Sequence, residues 1–473
     1  MEILIGREKE LSHLRHLTAN KSSSFIALYG RRRVGKTFLI RNAFPAFDFS
    51  VTGMANVNTA TQLANFHLAL QQYDPILTGT PMATTWLDAF ARLTALLEKK
   101  TSGKKIIFLD ELPWLDTATS GFLPALEHFW NAWASARPDI LLIVCGSAAS
   151  WIIQKILNSR GGLHNRVTDR IQLDPFTLKE CEAFFNSRRA QFDRYQIMQL
   201  YMVMGGIPFY LSQVDSKLSA AQNINRLCFQ TGGLLQKEFD NLYHSIFQKA
   251  ERHIQIIEAL SKKAKGLTRE ELLSASKMPN GGGTTRILKE LEESHFIRRY
   301  RSFGNKEKNS IYQLTDFYSF FYLQWIRDAD PTDPDFWIHQ LDTPKQHAWG
   351  GFAFEQICLE HISQIRRGLS IGGMRTAVSA WSGRTETEGA QIDLLIDRAD
   401  RVINICEMKF SIDTYTITKS YAEDLKRKIR VFKAVTRTKK AIHLLLITNW
   451  GLAKNSYADT LVQNELTMDM LFE

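Results

Sequence analysis

Long hydrophobic runs are absent from this sequence of 473 residues. The longest uninterrupted apolar stretches, such as residues 140–145, extend for about six residues, whereas a membrane-spanning helix needs roughly 20. We therefore expect no membrane span. The first residues also lack a basic stretch followed by a long apolar one, which is the pattern of a secretory signal. Together these absences predict a cytoplasmic protein.

Cysteine and proline are also scarce. The 5 cysteines include no CxxC pair, which argues against a disulfide framework or a cysteine zinc site and favours a reducing compartment. The 12 prolines and 27 glycines are too few for a fibrous or low-complexity protein. With 44% hydrophobic and 23% charged residues, the chain has the composition of a folded protein.

The formal net charge is +10, a modest indication of a polyanionic partner. Two segments hold the excess. Residues 250–310 carry 13 basic and 8 acidic side chains, and residues 415–440 carry 9 basic and 2 acidic ones. Solvated helical faces would give the same runs of charge, so both interpretations stay open.

The pattern of short apolar strands alternating with amphipathic helices over the first 200 residues predicts a parallel sheet covered on both faces. After an all-helical stretch, three short helices and a basic two-stranded hairpin indicate a winged helix-turn-helix. Gly281-Gly282-Gly283-Thr284-Thr285-Arg286 opens its recognition helix, whose Thr284, Thr285 and Arg286 we expect to approach phosphates if the unit binds DNA rather than protein. A linker rich in Asp and Pro and a second α/β region complete the chain.

A phosphate-binding loop is indicated by Gly30-Arg31-Arg32-Arg33-Val34-Gly35-Lys36-Thr37, which matches GxxxxGK[ST] between an apolar strand and a helix. Glycines let the backbone curl around phosphate, and the amides and the helix N-terminus then face its charge. We expect Lys36 to reach the β- and γ-phosphates of ATP and Thr37 to hold Mg²⁺.

Three further elements complete the expected nucleotide site. An apolar strand ends in Asp110 and Glu111, which we assign to Mg²⁺ and to activation of the attacking water. Ser147, at the end of another strand, is either a contact to the γ-phosphate or the water, or a plain turn serine. Arg166 is our candidate for an arginine finger that acts on a neighbouring subunit, although a surface loop would also explain the arginines at 160, 166 and 170.

These segments resemble an archaeal-type P-loop ATPase of the wider AAA+ and signal-transduction ATPase group. The resemblance rests on Ile5-Gly6-Arg7-Glu8-Lys9-Glu10-Leu11, on the phosphate loop, on Leu109-Asp110-Glu111 and on Gly205-Gly206-Ile207-Pro208. It implies a five-stranded core in which the Ser147 strand separates the Asp110 strand from the loop strand. It also implies a helical lid that ATP binding reorients.

Two carboxylates and a lysine stand out in the last region. Asp393 and Glu407 fall on consecutive predicted strands joined by a tight turn, and Lys409 points to the same side as Glu407. If the strands pair, the three side chains meet. Two carboxylates bind a hard divalent metal, and a lysine beside them orients water or balances phosphate charge.

This pattern resembles the PD-(D/E)xK nuclease family, which implies a restriction-endonuclease-like α/β domain and Mg²⁺ or Mn²⁺ as a second metal. Glu355 fits the place of the additional acid that an upstream helix often supplies in that family. Asp393 lacks the preceding proline. An ordinary α/β domain with charged strand ends, or a nuclease fold without activity, remains the alternative.

The sequence thus predicts a multidomain α/β chain with five parts. They are an ATPase core (1–190), a helical lid (191–248), a winged helix (249–316), a linker (317–345) and a nuclease-like domain (346–473). We expect partners to be ATP, DNA and a second copy of the chain. Two functions fit. One is an ATP-driven, DNA-binding, metal-dependent nuclease, and the other is an ATPase switch whose winged helix binds DNA or protein and whose last domain is inactive.

Overall fold

The computed structural model describes residues 4–158, 161–163, 165–247, 249–300, 303–304 and 310–473. They form two compact units, Met1–Pro175 and Phe176–Glu473. The first unit ends before residue 190, where we predicted the end of the ATPase core. The three boundaries that we predicted further along the chain stay predictions.

A five-stranded parallel sheet forms the centre of the first unit, in the order β2-β3-β4-β1-β5. Its strands are β1 (Ser24–Tyr29), β2 (Phe49–Thr52), β3 (Lys105–Asp110), β4 (Ile140–Gly146) and β5 (Asp169–Gln172). The strand that leads to Ser147 lies between the Asp110 strand and the loop strand, so the predicted strand order is confirmed.

Seven α-helices are described in this unit, of which the first precedes β1 and the other six lie between the strands in the sequence. They are α1 (Glu8–Thr18), α2 (Lys36–Ala43), α3 (Thr59–Tyr73), α4 (Trp86–Glu98), α5 (Leu112–Leu115), α6 (Phe122–Ala132) and α7 (Ala149–Trp151). The strands β1 and β4 are buried almost throughout, as expected for a parallel sheet with both faces covered. One face of the sheet packs on an aromatic cluster that includes Phe25, Phe66 and Trp86.

The second unit begins with five helices, of which the first lies in the predicted ATPase core and the other four lie in the predicted lid. They are α8 (Leu178–Ser187), α9 (Arg194–Met204), α10 (Pro208–Leu211), α11 (Ala220–Cys228) and α12 (Glu238–His244). Gly205 ends α9 with a φ of 61°, and Pro208 starts α10, so the Gly-Gly-Ile-Pro turn has its predicted place. A side chain at Gly206 would meet the carbonyl oxygen of Phe176 at 2.2 Å.

Residues 250–314, the three-helix segment, contain α13 (Ala250–Ser261), β6 (Leu267–Thr268), α14 (Arg269–Ser276), α15 (Gly282–Glu293), β7 (Ile297–Tyr300) and β8 (Ile311–Leu314). The strands form an antiparallel sheet in the order β6-β8-β7, of which the short β6 was not predicted. Most of the predicted polar turn between the last two strands (304–309) lies outside the described residues. The predicted helices and the two longer strands are present.

The C-terminal segment, residues 344–473, is built on a mixed sheet in the order β13-β12-β11-β10-β9. Its elements are α18 (Pro344–Glu360), α19 (Ile362–Gly368), β9 (Thr376–Arg384), β10 (Gly389–Arg398), β11 (Val402–Lys409), α20 (Lys419–Thr436), β12 (Ala441–Thr448), α21 (Ser456–Leu461) and β13 (Asn464–Thr467). Before it come α16 (Phe317–Phe321) and α17 (Phe336–Gln340). Sequence periodicity missed the outer strands β9 and β13.

The aromatic residues of α16 are buried, with Tyr318 and Phe321 at 0% exposure, and they belong to the core of the second unit. All five cysteines are buried. Among the described residues, no helix is long and apolar enough to cross a bilayer.

Candidate functional site

The phosphate loop follows β1 and curls into the first turn of α2. Gly30 has a φ of 149°, and a Cβ there would lie 2.2 Å from the carbonyl oxygen of Leu173, so only glycine fits. Gly35 has a φ of 92°, and no atom lies within 4 Å of where its Cβ would be. The space beside Gly35 at the start of α2 is therefore open, and backbone amides at a helix N-terminus suit a phosphate group.

Lys36 places a positive charge inside this loop. Its Nζ donates to the carbonyl oxygens of Gly30 at 2.9 Å and Arg31 at 2.8 Å, and the side chain is only 5% exposed. Burial lowers the pKa of Lys36, and the nearby carboxylates of Glu111 and Asp110 act in the opposite direction. A buried ammonium without a carboxylate bonded to it is suited to a phosphate.

The predicted acidic residues meet the loop at the carboxyl ends of the strands. Thr37 Oγ1 donates to Asp110 Oδ2 at 2.8 Å, which sets a hydroxyl and a carboxylate side by side as Mg²⁺ requires. Glu111 has a φ of 47°, a left-handed backbone conformation at the turn between β3 and α5. Ser147 Oγ donates to Glu111 Oε1 at 2.7 Å. These residues fit a nucleoside triphosphate with a divalent metal.

The other predicted residues of this site are placed as follows. Arg31 and Val34 are buried, whereas Arg32 and Arg33 are half-buried, and Arg33 has a φ of 69°. Arg166 is exposed in a turn that precedes β5. The structure does not bring it into a contact with Lys36, Asp110 or Glu111 in the described part of the chain, so its role as a finger stays a prediction.

Residues 4–214 match the model of a family described as an ATPase domain predominantly from Archaea. The chain contains an archaeal-type ATPase domain. The match spans the predicted opening segment, the phosphate loop, Asp110-Glu111 and the Gly-Gly-Ile-Pro turn, so this part of the predicted resemblance is confirmed.

Relatives of the whole chain and of its fold are distant. An uncharacterized protein of Methanocaldococcus jannaschii is 23% identical over 446 residues, which cover 91% of this chain and 92% of that one. The Walker-type ATPase of Pyrococcus abyssi aligns with 68% of this chain and 96% of its own at 17% identity, with a TM-score of 0.49. The ORC2 protein of Aeropyrum pernix covers 76% and 96% at 13% identity, with a TM-score of 0.41.

Beyond the ATPase domain, β10 and β11 form the predicted antiparallel hairpin. Leu394 pairs with Cys406, which makes Asp393 and Glu407 the next positions on the two strands. The pairing of β10 with β9 shifts between Ile392 and Leu395, so Asp393 lies in a bulge. Bulges re-aim side chains, and this one lies at a predicted site residue.

Each of the two carboxylates is held by a lysine and a neutral donor. Lys265 donates to Asp393 Oδ2 at 3.2 Å, and Gln391 donates to Asp393 Oδ1 at 2.9 Å. Lys428 donates to Glu407 Oε1 at 2.6 Å, and the Tyr421 hydroxyl donates to Glu407 Oε2 at 2.9 Å. The two carboxylates are thus neutralised by lysines that the sequence analysis did not single out.

Glu355 on α18 and Lys409 at the end of β11 complete the predicted group. Burial raises the pKa of Glu355 to about 8, and the charge of Asp393 adds to that rise. Lys409 Nζ lies 4.6 Å from the centre of the Tyr421 ring. We call Glu355, Asp393, Glu407 and Lys409 the carboxylate site.

The donor set of the carboxylate site has the hard oxygens that Mg²⁺ and Mn²⁺ prefer. As the side chains stand in the described residues, however, no three acids, histidines or cysteines are grouped closely enough to hold a metal ion. A metal would have to displace Lys265 or Lys428 from the carboxylates.

The three residues of α15 that we predicted to approach phosphates differ in their exposure to solvent. Thr284 is 3% exposed and its hydroxyl donates to the Pro279 carbonyl oxygen at 2.7 Å, so it does not face solvent and our expectation for it is wrong. Thr285 and Arg286 are exposed. Thr284 instead fixes the start of the helix.

Three residues that contact the carboxylates, Lys265, Lys428 and Tyr421, are not predicted from the sequence. A signal existed for Lys428, because it belongs to the basic run 415–440, on a helix whose inner face must contact the sheet. Lys265 lies in the basic turn between α13 and β6, 128 residues from Asp393, and no local pattern predicts that contact.

Proposed function

We propose that this chain is an ATP-hydrolysing, DNA-binding protein whose nucleotide state controls a metal-dependent, nuclease-like C-terminal segment. In this proposal the three-helix segment is a winged helix, and the C-terminal segment is a PD-(D/E)xK-like domain. The observation that carries it is the antiparallel β10–β11 hairpin, which sets Asp393 beside Glu407 and Lys409 in a chain with an ATPase domain.

In the ATPase domain, Lys36 and the amides of the loop would bind the phosphates of ATP, and Thr37 and Asp110 would hold Mg²⁺. Glu111 would take the proton of the attacking water, and Ser147 would orient the Glu111 carboxylate through its hydrogen bond of 2.7 Å. The bound Mg²⁺ would neutralise charge on the phosphates. Arg166 would serve a second copy of the chain.

In the C-terminal segment, Asp393, Glu407 and Glu355 would hold Mg²⁺ or Mn²⁺, which would polarise a phosphodiester. Lys409 would orient water or balance developing charge. The exposed Arg286 and the basic helix α20 supply positive charge for the phosphate backbone.

A second function is favoured by one specific observation. Lys265 and Lys428 occupy oxygens of both carboxylates, and the described residues hold no three-ligand cluster. This arrangement suits an ATPase switch whose C-terminal segment recognises DNA or a protein without cutting it.

A cleavage assay separates the two functions. The full chain is incubated with linear, circular and branched DNA, with Mg²⁺ or Mn²⁺, with and without ATP. The nuclease proposal expects cleavage that Glu407→Ala abolishes, that Lys36→Ala alters and that Asp459→Ala, a change at an exposed acid of the same segment, leaves intact. ATP hydrolysis without cleavage of any DNA would contradict it and favour the switch.

A further inference from the structure

A cleft of about 420 Å³ lies where the three-helix segment meets α18 in the second unit. Four lysines line it, Lys262, Lys263 and Lys265 from the turn after α13 and Lys345 from the first turn of α18. No acidic side chain is among the described residues that line it. We call it the lysine cleft. Its lining makes it a concentration of positive charge in a concave site.

The charges of the lysine cleft are only lightly used by the protein itself. Lys263 pairs with Glu271 at 2.9 Å, but both side chains are about half exposed, and such surface pairs are weak. Lys345 Nζ lies 4.0 Å above the Trp325 ring, and this interaction leaves its charge uncompensated by an acid. The ammonium groups of Lys263 and Lys345 are therefore available to an anion.

The cleft leads to Asp393. Lys265 and Gln391 both line it, and both donate to the Asp393 carboxylate, at 3.2 Å and 2.9 Å. The backbone of the lysine turn is fixed, since Tyr300 donates to the Lys265 carbonyl oxygen at 2.9 Å and Gln313 donates to that of Ala264 at 2.8 Å. Only the Lys265 side chain needs to move for it to exchange partners.

We propose that the lysine cleft binds the sugar-phosphate backbone of a DNA strand, and that Lys265 moves from Asp393 to a phosphate when the strand enters. The exchange frees Asp393 for a divalent metal only when the strand is present. This inference rests on the proposed function, because it names how the strand reaches the carboxylate site and what keeps that site closed without it.

Phosphate is favoured over a carboxylate-bearing peptide because of what surrounds Asp393. Lysines bind phosphate as point charges, and Mg²⁺ in proteins is usually shared between carboxylates and substrate phosphates. A phosphodiester therefore satisfies both the lysines of the cleft and a metal held by Asp393 and Glu407. The lysines come from two elements, the turn after α13 and the first turn of α18, which suits an extended strand with repeated charges.

The cleft is tested by binding without metal. A fluorescein-labelled 20-nucleotide single strand is titrated in EDTA at several KCl concentrations, and its anisotropy is followed. The triple variant Lys262→Ala/Lys263→Ala/Lys345→Ala should weaken binding at least about 10-fold. It should also lower the slope of the logarithm of the binding constant against the logarithm of the KCl concentration by the equivalent of about two phosphate contacts, since each contact contributes roughly 0.7 for single strands. The matched control replaces Lys179, Lys217 and Lys454, which are exposed elsewhere in the same unit, and should bind as wild type does.

Two results of this titration would contradict the proposal that the lysine cleft binds a DNA strand. One is equal weakening by the triple variant and by its control. The other is competition by poly-glutamate as strong as competition by unlabelled DNA, which would assign the cleft to an acidic peptide.

The movement of Lys265 from Asp393 to a phosphate is tested separately by measuring the affinity for Mn²⁺. Electron paramagnetic resonance detects the free Mn²⁺, and the Mn²⁺ binding of the Asp393→Asn variant is subtracted as background. Without DNA, Lys265→Met should bind Mn²⁺ several-fold more tightly than wild type. Addition of a short DNA that cannot be cut should raise the affinity of wild type and change that of Lys265→Met little, because the coupling must be reciprocal. Unchanged Mn²⁺ affinity in Lys265→Met would overturn the exchange.

Failure of the inference and failure of the proposed function differ in these assays. If wild type cleaves DNA and the triple variant binds and cleaves equally well, the cleft is wrong and the nuclease proposal stands. If the triple variant loses DNA binding while wild type never binds Mn²⁺ through Asp393, DNA binding by the lysine cleft is supported. The proposed movement of Lys265 and the nuclease proposal are then both wrong.

Discussion

Thr37 Oγ1 donates to Asp110 Oδ2 at 2.8 Å, although the two residues are 73 positions apart. Thr37 lies in the first turn of α2, and Asp110 ends β3, which is separated from β1 by β4. In a parallel sheet the carboxyl ends of the strands meet at one edge, so the topology brings the hydroxyl and the carboxylate together. Lys36 precedes Thr37 and Glu111 follows Asp110, so both lie next to this hydrogen bond at the edge of the sheet.

Lys36→Ala should weaken ATP binding by about 10- to 100-fold. The lost interaction is a hydrogen bond between charged groups, which contributes about 1.5–3 kcal/mol. The measurement is a titration with a fluorescent ATP analogue in Mg²⁺. Lys21→Ala, which removes an exposed lysine of the same unit, should bind as wild type does. Equal affinities for ATP in both variants would show that the ammonium inside the loop does not contact phosphate.

Glu111→Gln should separate ATP binding from hydrolysis. The amide keeps the size of the side chain but cannot accept a proton, and loss of a general base typically slows the reaction by about 10²–10⁴-fold. Phosphate release should therefore fall to that extent while ATP affinity stays near that of wild type. Glu98→Gln, at an exposed helix end, is the control. Full turnover in Glu111→Gln would assign the base to another residue.

The parts of the fold and site that the sequence predicts are those encoded within one or two neighbouring elements. The phosphate loop, the strand that ends in Asp110 and the β10–β11 hairpin each combine a short apolar run with adjacent turn or polar residues. The strand order of the first sheet came from the family resemblance. Strands β9 and β13 were missed because their inner and outer residues do not alternate clearly in hydrophobicity.

The contacts that change the interpretation of the carboxylate site are non-local. Lys265 and Asp393 are 128 residues apart, and Lys428 and Glu407 are 21 apart on different elements. A lysine in a charged turn or on a basic helix has the same sequence signature whether it faces solvent or a carboxylate. Only the packing of the three-helix segment and α20 against the sheet decides between the two.

Lys428→Met should destabilise the second unit by about 2–3 kcal/mol. The side chains of Glu407 and Lys428 are 8% and 16% exposed, and removing one partner of such a pair leaves the other charge buried. The measurement is urea unfolding followed by tryptophan fluorescence. Lys426→Met on the same helix removes an exposed pair with Glu423 and should cost less than about 1 kcal/mol.

A double-mutant cycle refines this prediction. Glu407→Gln combined with Lys428→Met should cost less than the sum of the single changes, because both remove the same interaction. Additive losses would contradict a direct coupling between the two side chains.

His361 should make the stability of the second unit depend on pH. Its Nε2 accepts the Leu178 N–H at 3.2 Å, its Nδ1 donates to the Ile357 carbonyl oxygen at 2.8 Å, and the Tyr201 ring packs on it. Burial lowers the pKa of His361 to about 4 from 6.5. The folded state therefore keeps the imidazole neutral where the unfolded chain would protonate it.

The direction of the pH effect follows from this lowered pKa. Above about pH 6.5 the His361 imidazole is neutral in both the folded and the unfolded state, and it causes no loss of stability. Between about pH 6.5 and 4 only the unfolded state gains a proton, so the free energy of unfolding decreases as the pH is lowered. The full loss is about 3 kcal/mol, at roughly 1.4 kcal/mol for each pKa unit. His361→Gln, whose amide oxygen can still accept the Leu178 N–H, should lose less stability between pH 7.5 and 5 in urea unfolding. His347→Gln, at an exposed histidine, should behave as wild type does, and an equal pH dependence in all three proteins would show that the His361 imidazole is not held neutral.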